Sequence, residues 1–180
     1  GDDVWYGTMN GGVICYNKTD STWKIFTTID GLPSNDVRSV FIEEDGTVWI
    51  GTKDGVAIFD GTDWKILNIL YDHHDPNQIY AIYKDSKGLM WFGLVGAIAT
   101  FDGNDIEIFF IDGRCTQIFE DSLHTMWFNI EKALLSFNGV EWKTHMEKPP
   151  YFMYVFSAVI DKNDVIWIES FLRILSFDTT

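Results

Sequence analysis

Cysteine is nearly missing from this 180-residue chain. Cys15 and Cys115 are its two thiols, too few for a disulfide framework and without metal-ligand spacing. Basic side chains are also scarce: 13 Lys and Arg stand against 27 Asp and Glu, a formal charge of −14. Such a field repels phosphate backbones and anionic lipid headgroups, which excludes nucleic acid and membrane surfaces as natural partners. No apolar run approaches the length that spans a bilayer, so direct membrane insertion is not expected. No secretory signal is visible and the chain opens on Gly1 rather than Met, which reads as a processed or excised piece. Catalytic signatures are missing too. There is no Gly-x-Ser-x-Gly elbow, phosphate loop or His-Glu-x-x-His, so no catalytic residue, metal or cofactor is assigned.

What the chain has in quantity is aromatic side chains, 16% of residues within a 46% apolar total. That is enough for a real core, and it argues against disorder. Five of the tryptophans recur in similar wording. Trp5, Trp49, Trp91, Trp127 and Trp167 are separated by 44, 42, 36 and 40 residues. Blades of four strands run about 40–45 residues. The segments between anchors are short and rich in Val, Ile, Phe and Trp, broken by Gly, Asp and Asn, which is strand wording.

The copies agree at fixed offsets. Six residues before the last four anchors stand Glu43, Asp85, Asp121 and Asp161. Three residues before the five anchors stand Asp2, Gly46, Gly88, His124 and Asp164, types that tolerate positive φ. An acid opening a turn and such a residue closing it describe a hairpin with a bulge. Gly7, Gly51 and Gly93, two residues after their Trp, are read as letting the chain turn beside the indole. Ten residues after their Trp come Phe59, Phe101, Phe137 and Phe177, with Tyr16 eleven after. The Asp-Gly or Asn-Gly pairs that follow three of them are hairpin turns. Each indole is expected to fill the gap between one sheet and the next.

The fold predicted is all-β: a single domain over 1–180, a β-propeller of about five four-stranded blades. The repeat units are about 1–29, 30–69, 70–109, 110–145 and 146–180. The first blade lacks its inner strand and the last its outer strand. A fragment of a larger propeller is the alternative, and open ends would expose sheet edges and invite a homodimer.

The stretch Gly31-Leu-Pro-Ser-Asn-Asp-Val-Arg-Ser-Val, with Glu44-Asp-Gly-Thr-Val-Trp-Ile-Gly-Thr and Gly55-Val-Ala-Ile-Phe-Asp-Gly, resembles the two-component regulator propeller repeat. Trp91-Phe-Gly is a good further copy, whereas Trp127-Phe-Asn and Trp167-Ile-Glu have lost the glycine. The resemblance implies the periplasmic sensor region of a hybrid histidine kinase, or a related secreted or surface protein. It implies a non-enzymatic module that binds a carbohydrate ligand or a partner protein, in the periplasm or outside the cell. A docking scaffold and a polysaccharide-acting lyase or hydrolase are the alternatives.

Ligands of propellers gather where loops enter the inner strands. Here those loops are Asp30–Asp36, Tyr71–Gln78, Asp112–Arg114 and Met146–Tyr151, joined by the turns near Lys53-Asp54 and Glu131-Lys132. The candidate ligand-binding residues are therefore Asn35, Arg38, Asp54, His73, His74, Arg114 and Tyr151. His73 and His74 sit between Asp72 and Asp75. These are metal-ligand types, but adjacent residues rarely aim at one ion, and a solvated loop is the plainer reading. Arg38 and Arg114 are forks for a ligand carboxylate or sulfate, or else partners of local acids such as Asp36 and Asp112. Tyr151, after Pro149-Pro150, is a shelf for a sugar ring or a plug of core.

Overall fold

The computed structural model describes residues 3–69, 77–131, 133–145, 155–170 and 173–178. Every regular element among them is a strand. The chain divides into two compact units, Gly1–Ile82 and Tyr83–Thr180.

In the first unit, β1 (Asp3–Gly7), β2 (Val13–Asn17) and β3 (Thr22–Phe26) form an antiparallel three-stranded sheet in chain order. β4 (Val37–Ile42), β5 (Val48–Thr52), β6 (Gly55–Phe59) and β7 (Trp64–Leu67) form the four-stranded sheet that follows. The core between these sheets holds Val13, Leu32, Val37, Val48, Ile50 and Ala57, flanked by Trp5, Phe26, Phe59 and Trp64.

The next strands are β8 (Ala81–Lys84), β9 (Met90–Gly93), β10 (Val95–Phe101), β11 (Ile106–Glu120), β12 (Met126–Ile130), β13 (Ala133–Phe137) and β14 (Trp142–Thr144). They make one seven-stranded sheet in chain order. The last sheet is β15 (Val155–Ile160), β16 (Val165–Ser170) and β17 (Arg173–Asp178). Its core with the preceding sheet holds Trp127, Leu134, Ala158, Ile166 and Ile168. Among the described residues the first sheet has no strand ahead of β1 and the last has none after β17, as the repeat spacing predicts.

The acidic turns form as read. The backbone oxygens of Glu43, Asp85, Asp121 and Asp161 accept the N–H three residues on, from Gly46, Gly88, His124 and Asp164, at 2.9–3.1 Å. All four closing residues have positive φ, with His124 at 64° and Asp164 at 60°. The acid also has a second role that periodicity did not suggest. One carboxylate oxygen of Asp85, Asp121 or Asp161 takes N–H groups of its own turn, and the other takes the Trp indole N–H six residues on, at 2.9, 2.8 and 3.0 Å. Glu43 takes Trp49 in the same way at 2.7 Å. The acid therefore ties turn and indole into one rigid piece.

The indoles do lie against the strands of the next repeat unit. Trp5 meets Phe59 at 5.8 Å, Trp91 meets Phe137 at 6.0 Å and Trp127 meets Phe177 at 5.6 Å. In each pair the Phe is the one that follows the next Trp. Outer-strand aromatics close the same gaps, Phe26 on Trp64 at 5.3 Å and Phe109 on Trp142 at 5.1 Å.

Two expectations are corrected. Gly7, Gly51 and Gly93 are strand residues and turn nothing. A Cβ there would lie 2.7 Å from Val37, 2.7 Å from Ile79 and 2.6 Å from the Cys115 carbonyl oxygen, respectively. Each glycine lets the next inner strand come close, and the need is for space rather than for φ. The loop expected at Asp112–Arg114 does not form either. β11 runs unbroken through it, pairing with β10 by its first half and with β12 by its second. One extended segment thus serves as outer strand of one blade and inner strand of the next, and Gly113 at φ 134° gives the local freedom that Asp-Gly-Arg had suggested for a turn.

Candidate functional site

The mouth of β4 is built by the loop before it. Asp30 caps Thr27, its Oδ2 accepting the Thr27 N–H at 2.8 Å. Leu32 is buried in the core. Asn35 fixes the loop's other end: its Oδ1 accepts the Thr28 N–H at 2.8 Å and its backbone oxygen accepts Gly12 N–H at 3.0 Å. Asn35 thus holds the loop in shape. Asp36 follows, its backbone oxygen taking the Lys53 N–H at 2.9 Å. That bond brings the β5–β6 turn, with Asp54 exposed on it, alongside. The turn is braced by Thr52, fully buried, whose Oγ1 donates to the Gly55 carbonyl and accepts the Asp54 N–H.

Arg38 occupies a bulge, since the register between β4 and β5 shifts between Val37 and Ser39. A bulge re-aims its side chain out of the ladder. Arg38 lies over the Tyr80 ring at 4.6 Å, donates to the Tyr80 hydroxyl, and pairs with Asp36 Oδ2 at 3.0 Å. The Tyr80 hydroxyl donates in turn to Gln78 Oε1 at 2.7 Å. Carboxylate, guanidinium, phenol and amide form a continuous chain at one mouth. The Arg38 side chain is 22% exposed, and its Nε is buried with no hydrogen-bond acceptor. A stacked, partly desolvated guanidinium of this kind is held in one plane, ready for a flat or hydroxylated partner.

In the second unit Arg114 stands one residue before the first inner-strand position, the place Asp36 has in its own blade. It pairs with Glu131 at 3.4 Å, and its backbone oxygen takes the Glu131 N–H at 3.2 Å. The structure thus gathers Asn35, Arg38 and Asp54 around one mouth and puts Arg114 in the other unit. His73, His74 and Tyr151 lie outside the described residues.

Three polar groups in the second unit were not among the candidate site residues. Ser86, Glu120 and His124 cluster by type like a hydrolytic triad. Their geometry is otherwise: Ser86 Oγ lies 2.9 Å and Glu120 Oε1 3.1 Å from the same ring nitrogen, Nδ1. A relay needs the acid and the nucleophile on opposite nitrogens, so this imidazole cannot pass a proton between them. The cluster is instead a latch. Ser86 N and Oγ both donate to the Glu120 carboxylate, at 2.8 and 2.6 Å. Ser122 repeats the motif one blade on, with its N and Oγ on Asp164.

The second polar group is Asn129, in the place Gly51 and Gly93 take in their copies. It is fully buried; its Nδ2 donates to Gln117 Oε1 at 3.1 Å, and its Oδ1 has no hydrogen-bond partner. Gln117 Oε1 also accepts the Ala158 N–H at 2.6 Å, and its Nε2 donates to Ser157 at 3.3 Å. The third is His145, where other copies have Phe26 and Phe109. It packs on Trp127 at 4.6 Å and shares a hydrogen with Ser136 through Nε2 at 2.7 Å. Burial, helped by nearby Lys143, pulls its pKa below 6.5. Burial likewise pushes the Cys115 thiol far above its usual range, which makes it inert rather than nucleophilic.

Among the described residues no group of His, Cys, Asp or Glu is arranged to hold a metal ion, and no helix is long and apolar enough to cross a membrane. Two stretches, 31–54 and 74–96, match the family described as two component regulator propeller. The first holds Gly31-Leu-Pro-Ser-Asn-Asp-Val-Arg-Ser-Val and Glu44-Asp-Gly-Thr-Val-Trp-Ile-Gly-Thr, and the second holds Trp91-Phe-Gly. A curated relative, histidine kinase P4 of Formosa agariphila, is 34% identical over 59 residues, 31% of this chain and 4% of that protein. Among solved structures, the extracellular domain of a one component system of B. thetaiotaomicron is similar at a TM-score of 0.86, with 16% identity over 98% of this chain and 26% of its own. Virginiamycin B lyase from Staphylococcus aureus is similar at 0.77, with 16% identity over 98% of this chain and 66% of its own. At such identities the likeness shows the fold, that of β-propeller blades. The chain spans about a quarter of the length of the extracellular domain, and its match to the kinase spans a twenty-fifth of that protein.

Proposed function

We propose that this chain is a ligand-sensing propeller segment of a two-component-type regulator, working in the periplasm or outside the cell and without catalysis of its own. The observation that carries the reading is the family match at 31–54, which covers the mouth holding Asp36, Arg38 and Asp54. The histidine kinase relative and the extracellular-domain likeness support the same setting. The ligand class is an oligosaccharide carrying a carboxylate or sulfate. Its anionic group meets Arg38, and its hydroxyls meet Tyr80, Gln78 and Asp54. Arg38 already shares its charge with Asp36, so a ligand must displace or bridge that pair, which favours modest affinity.

Calorimetric titration with neutral and uronic or sulfated glycans, up to millimolar ligand, tests this reading. Binding confined to the anionic glycans is expected, and Arg38→Ala should weaken it about tenfold or more, the loss of one charge-assisted hydrogen bond. Heat from no glycan, or an unchanged Kd in Arg38→Ala, removes the proposal. A polysaccharide-acting lyase or hydrolase is the second reading; the likeness to virginiamycin B lyase supports only that this fold can carry lyase chemistry. Product release from a polysaccharide, lost in an Asp36→Asn variant, would establish it in place of the first.

A further inference from the structure

Two backbone hydrogen bonds of one kind let one mouth be compared with another. In the second repeat the Lys53 N–H reaches the Asp36 carbonyl oxygen at 2.9 Å, and in the fourth the Glu131 N–H reaches that of Arg114 at 3.2 Å. Asp36 and Arg114 each stand thirteen residues before their Trp, and Lys53 and Glu131 each stand four after. The same two backbone places therefore carry an acid and a base in both repeats, with the signs exchanged. The third repeat has Gln78 and Val95 there and the fifth has Tyr154 and Phe171, all without charge.

In the fourth repeat the two side chains pair with each other, Arg114 with Glu131 at 3.4 Å. The backbone placement is thus close enough for side chains at these places to meet. In the second repeat they do not. The Asp36 carboxylate is turned to Arg38 instead, at 3.0 Å. Lys53 is exposed and enters no ion pair among the described residues. The cause lies in the bulge of the inner strand, which Arg38 occupies in the second repeat and the neutral Thr116 in the fourth. The second repeat has two cations for one acid, and the cation in the bulge holds it.

We infer that Lys53 is the exchange partner of Asp36. When an anionic group takes Arg38, the Asp36 carboxylate leaves the guanidinium and pairs with the Lys53 ammonium, as Glu131 pairs with Arg114. The inference rests on the reading of this mouth as a site for an anionic ligand. An anion seated on Arg38 repels the carboxylate beside it. Without a second cation Asp36 would be left partly buried and unpaired, which opposes binding. Lys53 relieves that opposition without touching the ligand, so it is a positioning residue. Because it belongs to the β5–β6 turn, the exchange also carries the binding event from β4 to that turn.

A crystal structure of the Arg38→Met variant tests the exchange with no ligand present, since methionine keeps a long stem and removes the charge. The Asp36 carboxylate is expected within about 4 Å of Lys53 Nζ. An Asp36 that stays in place with Lys53 still unpaired overturns the inference. Arg38→Gln repeats the test should the methionine variant fold poorly. This arm is separate from the glycan reading, which fails if calorimetry gives no heat with any anionic glycan. With an anionic glycan that binds, Lys53→Met should weaken binding about threefold to fivefold, the worth of one exposed ion pair. Asp36→Asn alone should tighten binding, because Arg38 then has no acid to give up. In that Asp36→Asn background Lys53→Met should change nothing, since no carboxylate needs a new partner. An equal loss in both backgrounds would mean that the lysine meets the ligand itself, and it overturns the exchange. So does a Lys53→Met variant that binds as the wild type does.

Discussion

The fourth blade meets its neighbours with two chemistries. Toward the third blade the contact is glycine and hydrocarbon: Gly93 admits Cys115, and Trp91 and Phe109 lie on Phe128, Phe137 and Trp142. Toward the fifth blade the same places are held by Asn129 and His145, with Gln117, Ser136 and Ser157 answering them. Both contacts keep the Trp and the acid that holds its indole. The indole–acid piece is thus the part the fold requires, and the rest of the gap can be filled by close approach or by a polar network.

The largest test of that contrast substitutes alanine at the shared position. In Gly93→Ala the new methyl would stand 2.6 Å from a backbone oxygen and 2.8 Å from the Cys115 sulfur. Backbone cannot move aside as a side-chain tip can, so a loss of about 2–3 kcal/mol is expected from overpacking. Asn129→Ala removes one hydrogen bond but also the buried, unanswered Oδ1, and should stay within about 1 kcal/mol of wild type. Urea unfolding of both variants measures the difference. Equal losses would mean that the fourth blade's polar filling is packed as tightly as the glycine contact.

A more modest effect separates the two contacts by pH. His145 is held below its ordinary 6.5, by burial first and Lys143 second. The unfolded chain then takes up a proton at a higher pH than the folded one, so stability rises with pH across the interval between the two values. The contribution is complete above 6.5 and is lost as pH falls below it. Thermal melts between pH 7.5 and 5 should show wild-type Tm falling through that window. His145→Phe, which copies the third blade, should flatten that fall. An identical slope in the variant would place the pH sensitivity elsewhere.

These two contacts also show why some of the molecule was legible and some was not. The acid and the positive-φ residue could be read because each recurs at a fixed distance from a Trp, and even His124 obeys the rule. The glycine after Trp was located correctly and explained wrongly, because a residue without a side chain serves equally for a turn and for a close approach. Asp112–Arg114 misled for a related reason, an Asp-Gly pair lying inside a strand long enough to serve two blades. Arg38 with Asp36 could be anticipated from two residues of one loop, whereas Tyr80 and Gln78 reach them from the following blade. Asn129 and His145 break the repeat, and a departure from periodicity carries no sign of whether the new residue is buried or bonded.

The smallest effect bears on what the two contacts share. Ser86 holds the fourth blade's turn, and Ser122 holds the fifth blade's, each with backbone and hydroxyl on one carboxylate. Both latches lie in exposed surroundings, where water replaces a lost hydroxyl readily. Ser86→Ala and Ser122→Ala should therefore each cost about 0.5–1 kcal/mol, and the two costs should match although the contacts beneath them differ. Ser86 carries one complication, because His124 Nδ1 also stands 2.9 Å from its hydroxyl. The ring also meets Glu120 Oε1 at 3.1 Å, so it keeps the carboxylate partnered in Ser86→Ala. Adding His124→Asn, which tolerates the same positive φ, should cost about a further 0.5 kcal/mol. Urea midpoints for the two single variants and for Ser86→Ala with His124→Asn give the comparison. A double variant no less stable than Ser86→Ala would show that the hydroxyl, and not the imidazole, holds Glu120 in place.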